Sequence, residues 1–170
     1  MKPRTLALAL LLACCAGSGA TQALPPDLQL KLACSHSEGE GEARDFYADN
    51  GEIGIKDGQL QQFRWESSLH RRTHGFDCSI DQDDHLDLDV VGGQWRVQLR
   101  DALASRAARG YDTVRGENCI IRLIRRGEYL LLQPSCAILC GSRSNFSELR
   151  IHLPSGRCQY PALQGNGSSK

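Results

Sequence analysis

Apolar and polar residues alternate along most of this chain, and short glycine-bearing turns break the alternation. A period of two is the signature of a half-buried β-strand. The clearest case is the stretch HLDLDVVGGQWRVQLR, residues 85–100. Leu86, Leu88 and Val90 alternate with Asp87 and Asp89, and Gly92-Gly93 supplies the positive φ values of a tight two-residue turn. Folding about that turn sets Val90 opposite Trp95, Leu88 opposite Val97 and Leu86 opposite Leu99. It also sets Asp89 against Arg96 and His85 against Arg100. One face of the hairpin is apolar, which predicts that Trp95 enters the core.

NCIIRLIRRGEYLLLQ, residues 118–133, reads the same way around Arg126-Gly127. Ile121 is expected to meet Leu132, and Leu123 to meet Leu130. Ile120, Ile124 and Leu131 make the second face partly apolar too, so this hairpin is expected at the centre of its sheet. Further turns fall at Asp57-Gly58 and at Pro154-Ser155-Gly156. An opening strand alternates Leu28, Leu30 and Leu32. RDALASRAARG, residues 100–110, is the one candidate for a short helix. The pattern as a whole predicts a mainly β fold: an antiparallel sheet curled into a small barrel or sandwich, braced by disulfides, with at most one short helix.

The leader changes the expected setting. Lys2 and Arg4 precede an apolar run from Leu6 to Ala16 that is too short to span a bilayer, and Thr21-Gln22-Ala23 fits a cleavage site. Residues 1–23 read as a signal peptide, 24–163 as a single β-rich domain, and 164–170 as a disordered tail. Leu11-Leu12-Ala13-Cys14 also resembles a lipobox, which would leave a lipid anchor on Cys14. Cleavage after Ala23 leaves Cys34, Cys78, Cys119, Cys136, Cys140 and Cys158, an even set of the kind an oxidising compartment favours. The expected pairs are Cys34–Cys78, Cys119–Cys136 and Cys140–Cys158. The alternative joins Cys119 to Cys140 and Cys136 to Cys158. A periplasmic or secreted location follows, with no later transmembrane segment.

Charge is divided unevenly. Leu24 to Gly92 holds 15 acidic and 6 basic residues, whereas Gly93 to Lys170 holds 5 acidic and 12 basic. Either the halves neutralise each other across the sheets, or a basic face is kept for an acidic partner.

Few motifs carry chemistry. Cys136 and Cys140 have C-x3-C spacing rather than the usual zinc C-x2-C, so no metal is expected there. His70 and His74 flank a basic turn and lack an acidic third ligand. Asp81, Asp83 and Asp84 begin an acidic run, but Leu86 and Gly92 stand where an EF-hand needs glycine and glutamate. No glycine-rich phosphate loop follows a strand, so no cofactor is implied, and the sparse aromatics do not suit a nucleic-acid platform. Ser142 or Ser144 with His152 is the only arrangement offering a serine hydrolase, and the nucleophile-elbow pattern is missing. The expectation is therefore a protein that is not an enzyme. In PSCAILCGSRSNF, residues 134–146, Pro134 stops a strand and two cysteines tie a short apolar turn. Ser142, Arg143, Ser144 and Asn145 follow as candidate binding residues.

This segment, C-x3-C-G-S-R-x-N-F-S with a last cysteine after a Ser-Gly turn, resembles a group of uncharacterised secreted proteins of Gram-negative bacteria. The resemblance covers the C-terminal third and implies a periplasmic home. The chain is also faintly similar to the periplasmic inhibitors of C-type lysozyme, small disulfide-bonded β-barrels with a Ser-Gly-x-x-Tyr loop. This chain lacks that motif, and Gly141-Ser142-Arg143-Ser144 is its nearest analogue. The expected function is a non-enzymatic binding protein, with inhibition of an envelope-directed enzyme as its finer reading, whose partner is an unknown protein or an acidic envelope component. A structural or envelope-stress accessory protein is the alternative.

Overall fold

The computed structural model describes residues 27–41, 44–100, 119–136, 139 and 145–161. Ten strands run through them: β1 (Leu28–Glu38), β2 (Asp45–Lys56), β3 (Gln59–His70), β4 (Gly75–Asp81), β5 (Leu86–Val91), β6 (Gln94–Leu99), β7 (Ile120–Arg126), β8 (Tyr129–Pro134), β9 (Leu149–His152) and β10 (Cys158–Gln159). They pair antiparallel in a four-stranded sheet, β1-β2-β3-β4, and a six-stranded sheet, β10-β9-β8-β7-β6-β5. The fold is mainly β, as the alternation predicts, and the two sheets make a sandwich rather than a closed barrel. The helical candidate at residues 101–110 lies outside the described residues.

The inner faces follow directly from the sequence period. Leu28, Leu30 and Leu32 of β1, Ile53 and Ile55 of β2, and Phe63, Trp65 and Leu69 of β3 are buried. From the second sheet come Trp95, Val97 and Leu99, then Ile121 and Leu123, Leu130 and Leu132, Leu149 and Ile151. All belong to one core. The β5–β6 hairpin keeps the expected register pair for pair, with Val90 opposite Trp95, Leu88 opposite Val97 and Leu86 opposite Leu99. Trp95 is buried, and Arg96 Nε donates to Asp89 Oδ1 at 2.9 Å on the other face.

The β7–β8 hairpin departs from expectation by two residues. Its turn sits on Gly127-Glu128, with Arg126 opposite Tyr129 and Leu123 opposite Leu132. Gly127 has φ +60°, so the turn forms where the positive angle costs least. A two-residue slip leaves every side chain on its original face. The hairpin does occupy the two central positions of its sheet.

The disulfides correct the expected pairing. Cys34 is bonded to Cys158, with Cα atoms 5.3 Å apart. Cys34–Cys78 and Cys140–Cys158 therefore do not form. The reason is topological: β1 and β4 are opposite edges of the first sheet, too far apart for a bridge. The β1 edge instead meets β10, the edge of the second sheet, and the bond fastens the two layers together. Cys119–Cys136 forms as expected, Cα to Cα 4.9 Å, across the base of the β7–β8 hairpin. Cys78 is also disulfide-bonded.

Candidate binding surface

The loop after β8 begins as the sequence suggests. Pro134 is the last residue of the strand, Cys136 is bonded back to Cys119, and Leu139 is buried with its N–H on the Cys136 carbonyl. Cys140, Ser142, Arg143 and Ser144 lie outside the described residues. Asn145 faces inward. Its side chain is buried, and Nδ2 donates to the carbonyls of Ser67 at 2.9 Å and Phe76 at 3.1 Å. Ser67 Oγ in turn donates to the Asn145 carbonyl. Phe146 follows, fully buried edge-on against Trp65 at 5.0 Å. Asn145 therefore brackets the loop to β3 and β4 and has no exposed amide to offer.

This bracket belongs to a polar network inside the sandwich. Asp49 of β2 is buried, and its carboxylate accepts from Trp65 Nε1 at 2.7 Å and from the Tyr160 hydroxyl at 2.8 Å. Burial pushes the Asp49 carboxyl above its ordinary range, against the opposing pull of hydrogen bonds from Trp65 and Tyr160. Burial, together with the nearby carboxylate, also raises the Tyr160 phenol. Two residues along, β2 has Gly51, where an added Cβ would overlap the Arg64 carbonyl oxygen. Only glycine lets β3 approach so closely beside the network.

The outer faces carry the charge. On the first sheet Lys31 pairs with Glu52 at 2.7 Å and Arg64 pairs with Glu66. On the second sheet Asp89 holds Arg96 and Asp87 holds Arg100. Hydrogen bonds from Arg96 keep the Asp89 carboxyl below its usual range. These two pairs join the acidic and basic halves of the sequence, so the halves neutralise each other across the β5–β6 hairpin. Beyond it the outer face turns cationic. Arg122, Arg126, Arg150 and Arg157 are exposed, and none forms an ion pair among the described residues.

Register gathers three of these arginines. Arg126 lies opposite Tyr129, Tyr129 opposite His152, and the His152 N–H donates to the Arg157 carbonyl at 2.8 Å. At a strand spacing of about 4.8 Å, the row from Arg126 to Arg157 spans roughly 14 Å. Arg150, one row along, places its guanidinium over the Tyr129 ring at 4.1 Å from the centroid. Beside it is a pocket of about 320 Å³ lined by Tyr129, His152, Ser155, Arg157 and Gln159. His152 Nδ1 lies 2.7 Å from Ser155 Oγ, and Nε2 lies 3.5 Å from Glu128 Oε2. Thus His152 meets Ser155, in the turn three residues on, while Ser142 and Ser144 lie outside the described residues. The sequence signal for this was the hairpin turn itself, which folds position i+3 back over the last strand residue.

His70 and His74 flank the β3–β4 turn; His70 stacks on Phe46 and His74 meets Phe76 edge-on. Asp81 caps the 3-10 turn Gln82–Asp84, its side chain accepting from the Asp83 N–H at 3.0 Å. The acidic run is thus used locally as a capping box.

No protein-family model, no curated protein and no solved structure matches the chain.

Proposed function

We propose that this is a non-enzymatic binding protein of the periplasm or the secreted space, which engages an acidic protein or envelope component through the outer face of its second sheet. The observation that carries this reading is the set of four exposed arginines on or beside one face without carboxylate partners among the described residues. A face that served only to neutralise the acidic half would resemble the β5–β6 hairpin, where arginines stand against aspartates. Unpaired guanidinium groups on a rigid sheet suit carboxylates and phosphates, because the fork of donors is fixed before the partner arrives. The disulfides support an oxidising compartment. No helix among the described residues is long and apolar enough to cross a membrane.

An acidic partner is expected to be captured with strong salt dependence, since exposed charges are screened over a Debye length of about 10 Å at 0.1 M salt. The test is retention on immobilised heparin and capture of envelope components by the mature chain, with Arg122→Gln, Arg126→Gln and Arg150→Gln combined. Loss of retention without loss of melting temperature supports the reading. Unchanged retention overturns it and leaves a structural accessory protein.

One observation favours a second reading. Ser155, His152 and Glu128 stand in the order of a nucleophile, base and acid. However, the backbone N–H groups of Ser155 and Gly156 both point at the His152 carbonyl, at 3.3 and 2.7 Å. The turn therefore has no pair of free N–H groups to hold an oxyanion intermediate. Ester hydrolysis abolished by Ser155→Ala would favour the hydrolase.

A further inference from the structure

We infer that the pocket between Tyr129, His152, Ser155, Arg157 and Gln159 is a proton-gated site for a single oxyanion group, the point at which the cationic face grips its partner. This rests on the proposed function and adds to it a ligand chemistry and a control. The pocket's size, about 320 Å³, suits one small anionic group or the acidic end of a larger molecule. Its lining offers a guanidinium, an amide and a phenol as donors, with a hydroxyl and an imidazole paired to each other. Arg150 covers a face of the Tyr129 ring, and His152 packs against that ring at 5.1 Å. Flat stacking of a neutral sugar on Tyr129 is thereby obstructed, which leaves anion recognition as the chemistry on offer.

The gate follows from hydrogen-bond accounting at Ser155. With His152 neutral, the Glu128 carboxylate near Nε2 favours the proton on that nitrogen, so Nδ1 is an acceptor. Ser155 Oγ, 2.7 Å away, must then donate its proton to Nδ1. Its oxygen already faces the Arg157 N–H at 3.4 Å, so the hydroxyl has no donor left for a ligand. Protonating His152 reverses the contact. Nδ1–H becomes the donor, Ser155 Oγ accepts, and the hydroxyl proton is released toward the pocket. One proton thus adds a positive charge and frees a donor together.

Among the described residues, few charged and titratable groups lie around His152. Glu128 comes from the β7–β8 turn, Tyr129 from β8, Arg126 from β7, Arg150 from β9 and Arg157 from the residues before β10. The arginines stay charged throughout, and histidine is the side-chain type suited to switching near neutral pH.

The test is titration of the whole mature chain with sulfate and, separately, formate, followed by amide NMR shifts at about pH 5.5 and pH 8. Both anions keep their charge over this range. Saturable binding of either, roughly tenfold weaker at the higher pH, is the expected result. Sulfate preferred over formate points to a phosphate- or sulfate-bearing partner, and the reverse to a carboxylate. His152→Gln should remove the pH dependence, Ser155→Ala should weaken binding chiefly at the lower pH, and Arg157→Gln should weaken it at both. Equal affinity at both pH values, or pH dependence that survives His152→Gln, overturns the gate. No saturable binding with heparin retention intact overturns the pocket and spares the cationic face. No heparin retention with pocket binding intact does the reverse.

Discussion

The two sheets divide their polar groups in opposite ways. The first sheet brings Asp49 and Ser67 into the interior and pairs Lys31 and Arg64 with neighbouring carboxylates outside. The inner face of the second is apolar from Trp95 through Ile151, and its outer Arg122, Arg126, Arg150 and Arg157 have no carboxylate partner among the described residues. The difference shows how one sandwich can separate two tasks. Buried polar groups fix a unique arrangement of strands and loop only if each is satisfied. Unpaired surface charge does little for stability and is left available for recognition.

Substitutions can break this contrast in order of size. Trp95→Ala should cost roughly 3–5 kcal/mol, because it empties the wholly apolar side of the core. Denaturant midpoints measure it, and an unchanged midpoint would contradict the hairpin register. Replacing Cys34 and Cys158 together by serine should cost about 2–4 kcal/mol by unfastening the β1–β10 edge. The readout is the same midpoint under non-reducing conditions. Asp49→Leu should cost about 1–3 kcal/mol for each donor left stranded, with Trp65 Nε1 and the Tyr160 hydroxyl the first affected.

Asp49 also carries a pH signature. Its folded pKa is raised, so the folded state holds a proton that the unfolded chain has already released. Its contribution to stability is complete in acid, below the unfolded value of about 3.9, and is lost as pH rises through the folded value. The stability advantage of the parent over Asp49→Asn should therefore be largest in acid and shrink toward neutral pH. Urea titrations across that range would show the opposite slope if burial did not dominate. Smallest of all, Arg122→Gln should move the midpoint by no more than about 0.5 kcal/mol while lowering heparin retention.

Local features of this fold were legible in the sequence and distant ones were not. The β5–β6 register could be read pair by pair because Gly92-Gly93 fixes the turn and the two strands share one hydrophobic period. The β7–β8 hairpin gave the correct faces with the wrong partners, since a slip of two residues is invisible to a pattern of period two. Cys34–Cys158 could not be seen, because it depends on which sheet edges meet in space. The candidate surface was half legible. Charge counts located the basic half, but it took the strand registers to gather Arg126 and Arg157 in one row, with Arg150 beside it. Asn145 read as a contact residue from its neighbours in sequence, while its side chain is occupied by carbonyls of β3 and β4.

The Cys34–Cys158 bond spans 124 residues, whereas Cys119–Cys136 spans 17. Synthesis runs from the N-terminus, so Cys34 appears long before its partner and shares the nascent chain with Cys78 first. A premature bond between those two would cross the first sheet from edge to edge and forbid β2 and β3 from lying between them. Correct oxidation therefore has to be late, or reversible. Refolding of the reduced chain should therefore yield more native protein in a thiol–disulfide shuffling buffer than with oxidant alone.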